Sequence, residues 1–175
     1  MEDLIVVFNT SPLIFLNRLG YLEKSLRLFQ LFQTVIIPKK VLDEIYVKDD
    51  KIKEDIINLK NCQNVIFGLE TKLAKLYKAL KERLGKGEAE AISLAIEKNA
   101  DLVILEDYAA RRIAIELGLE VKGTLGIVKR LIEDNKIEIQ DIKEFYKKLL
   151  KIGFRVKKSI FDSIFTAKIK IKGDM

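Results

Sequence analysis

The chain contains no histidine and a single cysteine, Cys62, and these two shortages remove many enzyme chemistries at once. Without imidazole there is no Ser-His-Asp or Cys-His site, no histidine general base and no zinc centre with imidazole ligands. One thiol cannot build an internal disulfide framework, a thiolate zinc site or an iron–sulfur cluster. Any metal must therefore be held by oxygen, which favours magnesium, manganese or calcium. Long apolar runs are missing too: none approaches the roughly 20 residues that cross a bilayer. Met1-Glu2-Asp3 lacks the basic start of a secretory signal and leads straight into a strand-like segment, so a cytoplasmic location is expected, with no membrane partner. There is also no internal repeat, low-complexity tract or linker.

What the chain does contain is 49% hydrophobic and 33% charged residues over 175 positions. That describes a globular protein, long enough for one domain with a substantial core and too short for two comfortable ones. The formal net charge of +6 and a pI near 9.2 permit a polyanionic partner through phosphate neutralisation. A lysine-rich solvated surface explains the same numbers, so charge does not decide the function.

Short apolar runs at Leu4–Phe8, Thr34–Ile37 and Leu102–Leu105 read as strands buried on both faces, with briefer ones at Val65–Phe67 and Leu119–Val121. Between them the spacing predicts helices: from Ser11 and Pro12 as cap and first turn to about Leu19, over Tyr21–Leu31, from Pro38 through Tyr46, over Lys51–Leu59, over Glu70–Leu84, from Glu88 to about Lys98, after Asp107 to Leu117, and from about Thr124. The tail from Ile137 reads as one or two further helices. Strands alternating with helices imply an α/β fold with a mostly parallel sheet between helices. Ligands collect at the carboxyl ends of such strands, which here carry Asn9, Glu106 and Asp107.

Glu88 heads the apolar face formed by Ala91, Ile92, Ala95 and Ile96, while Glu90, Ser93 and Glu97 fall on the opposite, solvated side. An ionised carboxylate directed at a core needs a partner, a metal or an opening to water, although a first-turn glutamate also suits the helix dipole. Asp107 closes a strand and opens a helix, so it is either a plain N-cap or a site residue, and Glu106 stands beside it. Asp43 and Glu44 flank their helix's apolar stripe on opposite sides, and periodicity does not choose between them. Gly85-Lys86-Gly87 follows a helix and lacks a third glycine, so it is not a dinucleotide fingerprint, and no G-x-x-x-x-G-K-[ST] loop exists.

In order, the chain reads strand–N-T-S-P-L-I, I-P-K-K-V-L-D-E-I, G-K-G-E-A-E-A-I, L-V-I-L-E-D-Y-A-A-R-R and G-T-L-G. This ordered set resembles the PIN-domain superfamily, which includes the VapC-type toxin ribonucleases, over about residues 4–133. The resemblance implies a three-layer PIN-like fold filling 1–175 as a single domain, with its core at about 4–133 and a helical C-terminal extension at about 137–170. It also implies that the positions at which the family's acids converge fall on Asn9, Glu44, Glu88 and Asp107, selecting Glu44 over Asp43 and Asp107 over Glu106. Glu44, Glu88 and Asp107 would hold Mg2+ or Mn2+, Thr10 or Ser11 would supply the family's hydroxyl, and Arg111 and Arg112 would hold the RNA backbone. The departure is Asn9, an amide where the family has an aspartate, which should weaken the cation's hold. Glu106 would supply support in compensation.

The expected activity is metal-dependent endonucleolytic cleavage of single-stranded RNA, as the toxin of a toxin–antitoxin pair, with an antitoxin protein and a homodimer mate as partners. The rival expectation is a catalytically impaired PIN module that binds RNA or protein without cleavage. A third is a structural subunit with no RNA affinity beyond that of any basic protein.

Overall fold

Runs of β-branched and aliphatic residues form the sheet, because a strand buried on both faces needs apolar side chains at successive positions. In the computed structural model, whose described residues are 4–28, 33–48, 50–59 and 65–165, the strands are β1 (Leu4–Phe8), β2 (Gln33–Pro38), β3 (Val65–Leu69), β4 (Leu102–Ile104) and β5 (Val121–Lys122). The helices are α1 (Thr10–Arg18), α2 (Leu22–Leu28), α3 (Lys39–Lys48), α4 (Asp50–Leu59), α5 (Ala74–Lys81), α6 (Lys86–Glu97), α7 (Tyr108–Glu116), α8 (Thr124–Glu133), α9 (Ile142–Lys151) and α10 (Lys158–Phe165). The sheet order is β3-β2-β1-β4-β5 and every pairing is parallel. This is the three-layer α/β arrangement that alternating strands and helices predict, with a wholly parallel sheet.

β1 sits in the middle of that order. Val6 and Val7 face Val35 and Ile36 of β2 on one side, and Val7 and Phe8 face Val103 and Ile104 of β4 on the other. Val7, Phe8, Val103 and Ile104 are fully buried, each contributing on the order of 1.5–3 kcal/mol of apolar transfer. The strand order reverses between β1 and β4: the chain first builds outward to β3, then returns to β1's other edge. A crevice opens at the carboxyl ends where the order reverses, and the segments leaving those ends are Asn9 and Leu105-Glu106-Asp107.

Several boundaries differ from the sequence expectation for identifiable reasons. α1 begins at Thr10, with Asn9 rather than Ser11 at the N-cap in an extended conformation. Pro12 is then the third helical residue, still within the first turn, where an N–H has no helical partner to lose. α5 is shorter than the Glu70–Leu84 pattern, and just ahead of it the Thr71 hydroxyl and Lys72 N–H donate to the Glu97 carboxylate at 2.8 and 2.7 Å. α6 starts two residues early, capped by Gly85. The expected helix over Tyr21–Leu31 is described to Leu28, and its last residues lie outside the described ones.

One expectation is overturned. Glu90 and Ser93 do not lie on a solvated side of α6: Glu90 is 2% exposed and Ser93 fully buried. α6 packs on β1, β2 and β4 and is flanked by α3, α5 and α7, so it has no wide wet face. Its Gly87, Ala89, Ala91, Ser93 and Ala95 allow that close approach all round.

The chain divides into two compact units, residues 1–124 and 125–175. The first holds the sheet and the candidate site residues. In the second, Phe145, Phe161 and Phe165 pack with ring centroids 4.8–6.1 Å apart, and the Tyr146 hydroxyl donates to the Val156 carbonyl.

Candidate active site

At the reversal point the backbone N–H of Asn9 donates to the Ile104 carbonyl at 3.1 Å, extending the β1–β4 pairing by one bond. The side chain is 3% exposed, and its Oδ1 has no hydrogen-bond partner among the described residues. A buried carbonyl oxygen left without a donor costs on the order of 1–3 kcal/mol. Such an atom marks a place where a ligand would be welcome.

Glu44 reaches the same region from α3. Its Oε2 accepts the Thr10 hydroxyl at 2.6 Å and its Oε1 accepts the Gly87 N–H at 2.8 Å, with Lys48 Nζ 4.0 Å away. Asp43 turns outward, half-exposed, toward Lys39 at 3.6 Å. Of the two neighbours that periodicity left undecided, Glu44 is the one drawn inward. A side chain at Gly87 would collide with it, because a Cβ there would lie 2.7 Å from Glu44 Oε2. The glycine in G-K-G-E thus gives a carboxylate close access to a helix start.

Glu88 is the third residue of α6, and its Oε2 accepts the Gly85 N–H at 3.0 Å. Burial pushes its carboxyl above the usual glutamate range; the Gly85 N–H opposes this, the negative charges of Asp107 and Glu44 add to it, and Lys48 opposes it. Asp107 caps α7, with Oδ1 accepting the Ala110 N–H at 2.9 Å. Glu44, Glu88 and Asp107 therefore lie in one electrostatic neighbourhood, although they are widely separated in sequence.

Glu106 is differently employed. It accepts the Thr124 N–H, and its carboxyl is held high by burial against hydrogen bonding from Thr124 and the charge of Arg111. The Arg111 guanidinium donates to the Leu105 carbonyl at 3.1 Å. Both side chains close on Gly123, where a Cβ would lie 2.6 Å from Arg111 and 3.0 Å from Glu106. Arg112 is exposed and paired with Glu116 at 3.2 Å. Ser11 is half-buried in the first turn of α1.

The residue that sequence reasoning undervalued is Glu90. Its Oε2 accepts the Lys40 N–H at 2.6 Å. Lys40 is the second residue of α3, and Gly87 is the second residue of α6. Each helix therefore closes a free N–H at the start of the other: Glu90 of α6 serves α3, and Glu44 of α3 serves α6. Burial raises the Glu90 carboxyl, opposed by the Lys40 N–H. The available signal was the run of small residues around Glu90, which points to close packing on every side.

Comparison with known families adds the deciding observation: the DUF3368 family model, described as a PIN domain, matches residues 5–168. The chain belongs to the PIN domain family. No curated protein matches it. PIN domains form a nuclease-like superfamily and generally use divalent metals.

The donor chemistry of this PIN domain suits such a cation. It offers oxygen alone: the Glu88 carboxylate, whose charge is disfavoured by burial and by the negative charges of Asp107 and Glu44, and a buried amide oxygen without a partner. As they stand, the acids are occupied locally, Glu88 with Gly85, Asp107 with Ala110, and Glu44 with Thr10 and Gly87. Among the described residues no three acidic or cysteine side chains form a ready cage. Glu44 spends an acceptor site on each of two donors, whereas Glu88 and Asp107 each hold one bond, with one oxygen of each outside it.

Proposed function

We propose that this PIN domain is a metal-dependent ribonuclease specific for single strands, acting as the toxin of a toxin–antitoxin pair. The reading is carried by one observation: the buried Oδ1 of Asn9 has no partner among the described residues at the sheet's reversal point, next to Thr10, which holds Glu44. Burial disfavours the ionised form of Glu88 there, and the negative charges of Asp107 and Glu44 add to that. Like charges gathered in a half-buried place favour a cation that neutralises them. Glu88, Asp107 and Glu44 would hold it, with Asn9 Oδ1 completing the set or orienting a water. The cation, Mg2+ or Mn2+, supplies Lewis acidity for phosphodiester hydrolysis. The chain's own contribution is placement. Thr10 and Gly87 fix Glu44, the capping bond holds Asp107 at the head of α7, and Arg111 and Glu106 brace the turn behind it. Arg112, exposed one turn beyond Asp107 and paired with Glu116, is the second arginine of this reading. An antitoxin, a homodimer mate and a cytoplasmic setting belong to the same reading.

The test is cleavage of a fluorescent single-stranded RNA with manganese, magnesium or EDTA, comparing the native chain with Asn9→Asp. Metal-dependent cutting by the native chain is expected, with Asn9→Asp roughly tenfold faster at limiting manganese because ligand charge tightens the site. Silence from both proteins would remove the nuclease reading. Cutting only by Asn9→Asp would favour the second reading, a module that binds RNA or protein without cleavage; the amide at position 9 is the observation behind it.

Gly87→Ala gives an independent check on Glu44. The added methyl would drive the carboxylate from the Gly87 N–H, so cleavage should fall about 10–100-fold, the scale of losing an outer partner at a metal site. Circular dichroism should show the fold intact. Full activity in Gly87→Ala would take Glu44 out of the proposed set.

A further inference from the structure

One face of α3 and the first residue of α6 enclose a cleft of about 320 Å³, lined by Lys40, Asp43, Glu44, Val47, Lys48 and Lys86. Glu44, fixed by Thr10 and Gly87, forms part of its wall. Lys40 precedes Glu44 by four residues and Lys48 follows it by four, so all three share one helix face. At 1.5 Å rise per residue the two lysines stand about 12 Å apart along the axis, with the carboxylate midway. Lys86 adds a third ammonium from the other wall. Val47, 87% exposed, contributes an apolar surface with no base-reading group.

We infer that this cleft is the seat of the RNA backbone: the strand lies along α3, with Lys40 and Lys48 on phosphates to either side of Glu44 and Lys86 as a third contact. The inference rests on the ribonuclease reading and specifies how its substrate is held. With three lysines against two acids, Glu44 midway and Asp43 turned toward Lys39, the cleft is net positive and fits a polyanion that must present one phosphodiester to the acids while its neighbours are neutralised. Lysine serves here as a point charge rather than a planar fork, so the grip follows backbone charge and ignores sequence. Of the two arginines expected to hold RNA, Arg111 donates to the Leu105 carbonyl and Arg112 is paired with Glu116, whereas Lys40, Lys48 and Lys86 line the cleft that Glu44 walls.

The experiment is fluorescence anisotropy of a labelled single-stranded RNA with the full chain in EDTA, titrated over salt. Each phosphate contact on a single strand contributes about 0.7 to the slope of log affinity against log salt. Lys40→Ala/Lys48→Ala/Lys86→Ala should lower that slope by about 2. Lys40→Arg/Lys48→Arg/Lys86→Arg should restore it, which separates charge from folding. The control Lys75→Ala/Lys78→Ala/Lys81→Ala removes three charges from α5 and should leave the slope unchanged. A native slope in the cleft variant, or an equal drop in the control, overturns the inference. Cleavage with manganese, measured in parallel, separates the two readings. Lysine-dependent binding without cleavage upholds the cleft and overturns the nuclease. Cleavage that survives the cleft variant with unchanged KM upholds the nuclease and overturns the cleft.

Discussion

Glu88→Gln is expected to abolish RNA cleavage while making the metal-free protein more stable at neutral pH. Glutamine keeps an oxygen for the Gly85 N–H, so the capping bond at the start of α6 survives. What disappears is a charge that burial, Asp107 and Glu44 all disfavour. In the unfolded chain this carboxyl loses its proton near the ordinary 4.5, whereas in the fold it keeps the proton to higher pH. Over that interval the folded state binds more protons than the unfolded one, so stability falls as pH rises through it. Below pH 4.5 the native protein and Glu88→Gln should therefore melt alike in EDTA; above it the gap should open in favour of glutamine and then level off. Cleavage should fall at least about 100-fold, since even outer partners at metal sites are worth 10–100-fold. A native protein more stable than Glu88→Gln at pH 7 would mean that the Gly85 bond outweighs burial and repulsion, and that the site has no need of a cation.

Glu90→Ala should be the most damaging single change away from the proposed acids. It leaves the Lys40 N–H without its acceptor and opens a void beside a helix packed on all sides. Loss of a buried bond to a carboxylate and the cavity together suggest about 2–4 kcal/mol. For a chain of this length that is a fall of roughly 5–15 °C in Tm. Glu90→Gln keeps the acceptor and removes a charge that burial disfavours, so its Tm should stay within a few degrees of the native value. Because α3 carries Glu44, cleavage measured well below the melting transition should fall in Glu90→Ala and largely persist in Glu90→Gln. Equal Tm values for the native chain and Glu90→Ala would show that α3 is anchored without Glu90.

The sheet was legible because its strands are continuous apolar runs, and Asn9 and Asp107 because they end two of them. Glu88 was legible from a wheel that paired it with Ala91, Ile92 and Ala95. That wheel failed for Glu90 and Ser93 because it assumes one wet face, and α6 has none. Periodicity left Asp43 and Glu44 open; what separates them is the Thr10 hydroxyl and the Gly87 N–H, groups 34 and 43 residues from Glu44. The start of α1 was misplaced because Ser11-Pro12 is a persuasive local opening, whereas Asn9 bonds to Ile104 across the sheet and turns the chain earlier. The misses at the start of α1 and at Glu90 came from partners distant in sequence, Ile104 and Lys40.

The central place of β1 also orders events during folding. Its pairing with β2 closes a short loop, but its pairing with β4 joins Val6 to Leu102. A chain ending before Leu102 would carry Asn9, Glu44 and Glu88 yet leave one edge of β1 open as an apolar, unpaired strand. Long-range parallel pairings are slow because the loop must close before any contact rewards it. The pairing with the largest loop to close is the one that delivers Asp107, so assembly of the proposed acids is tied to completion of the sheet.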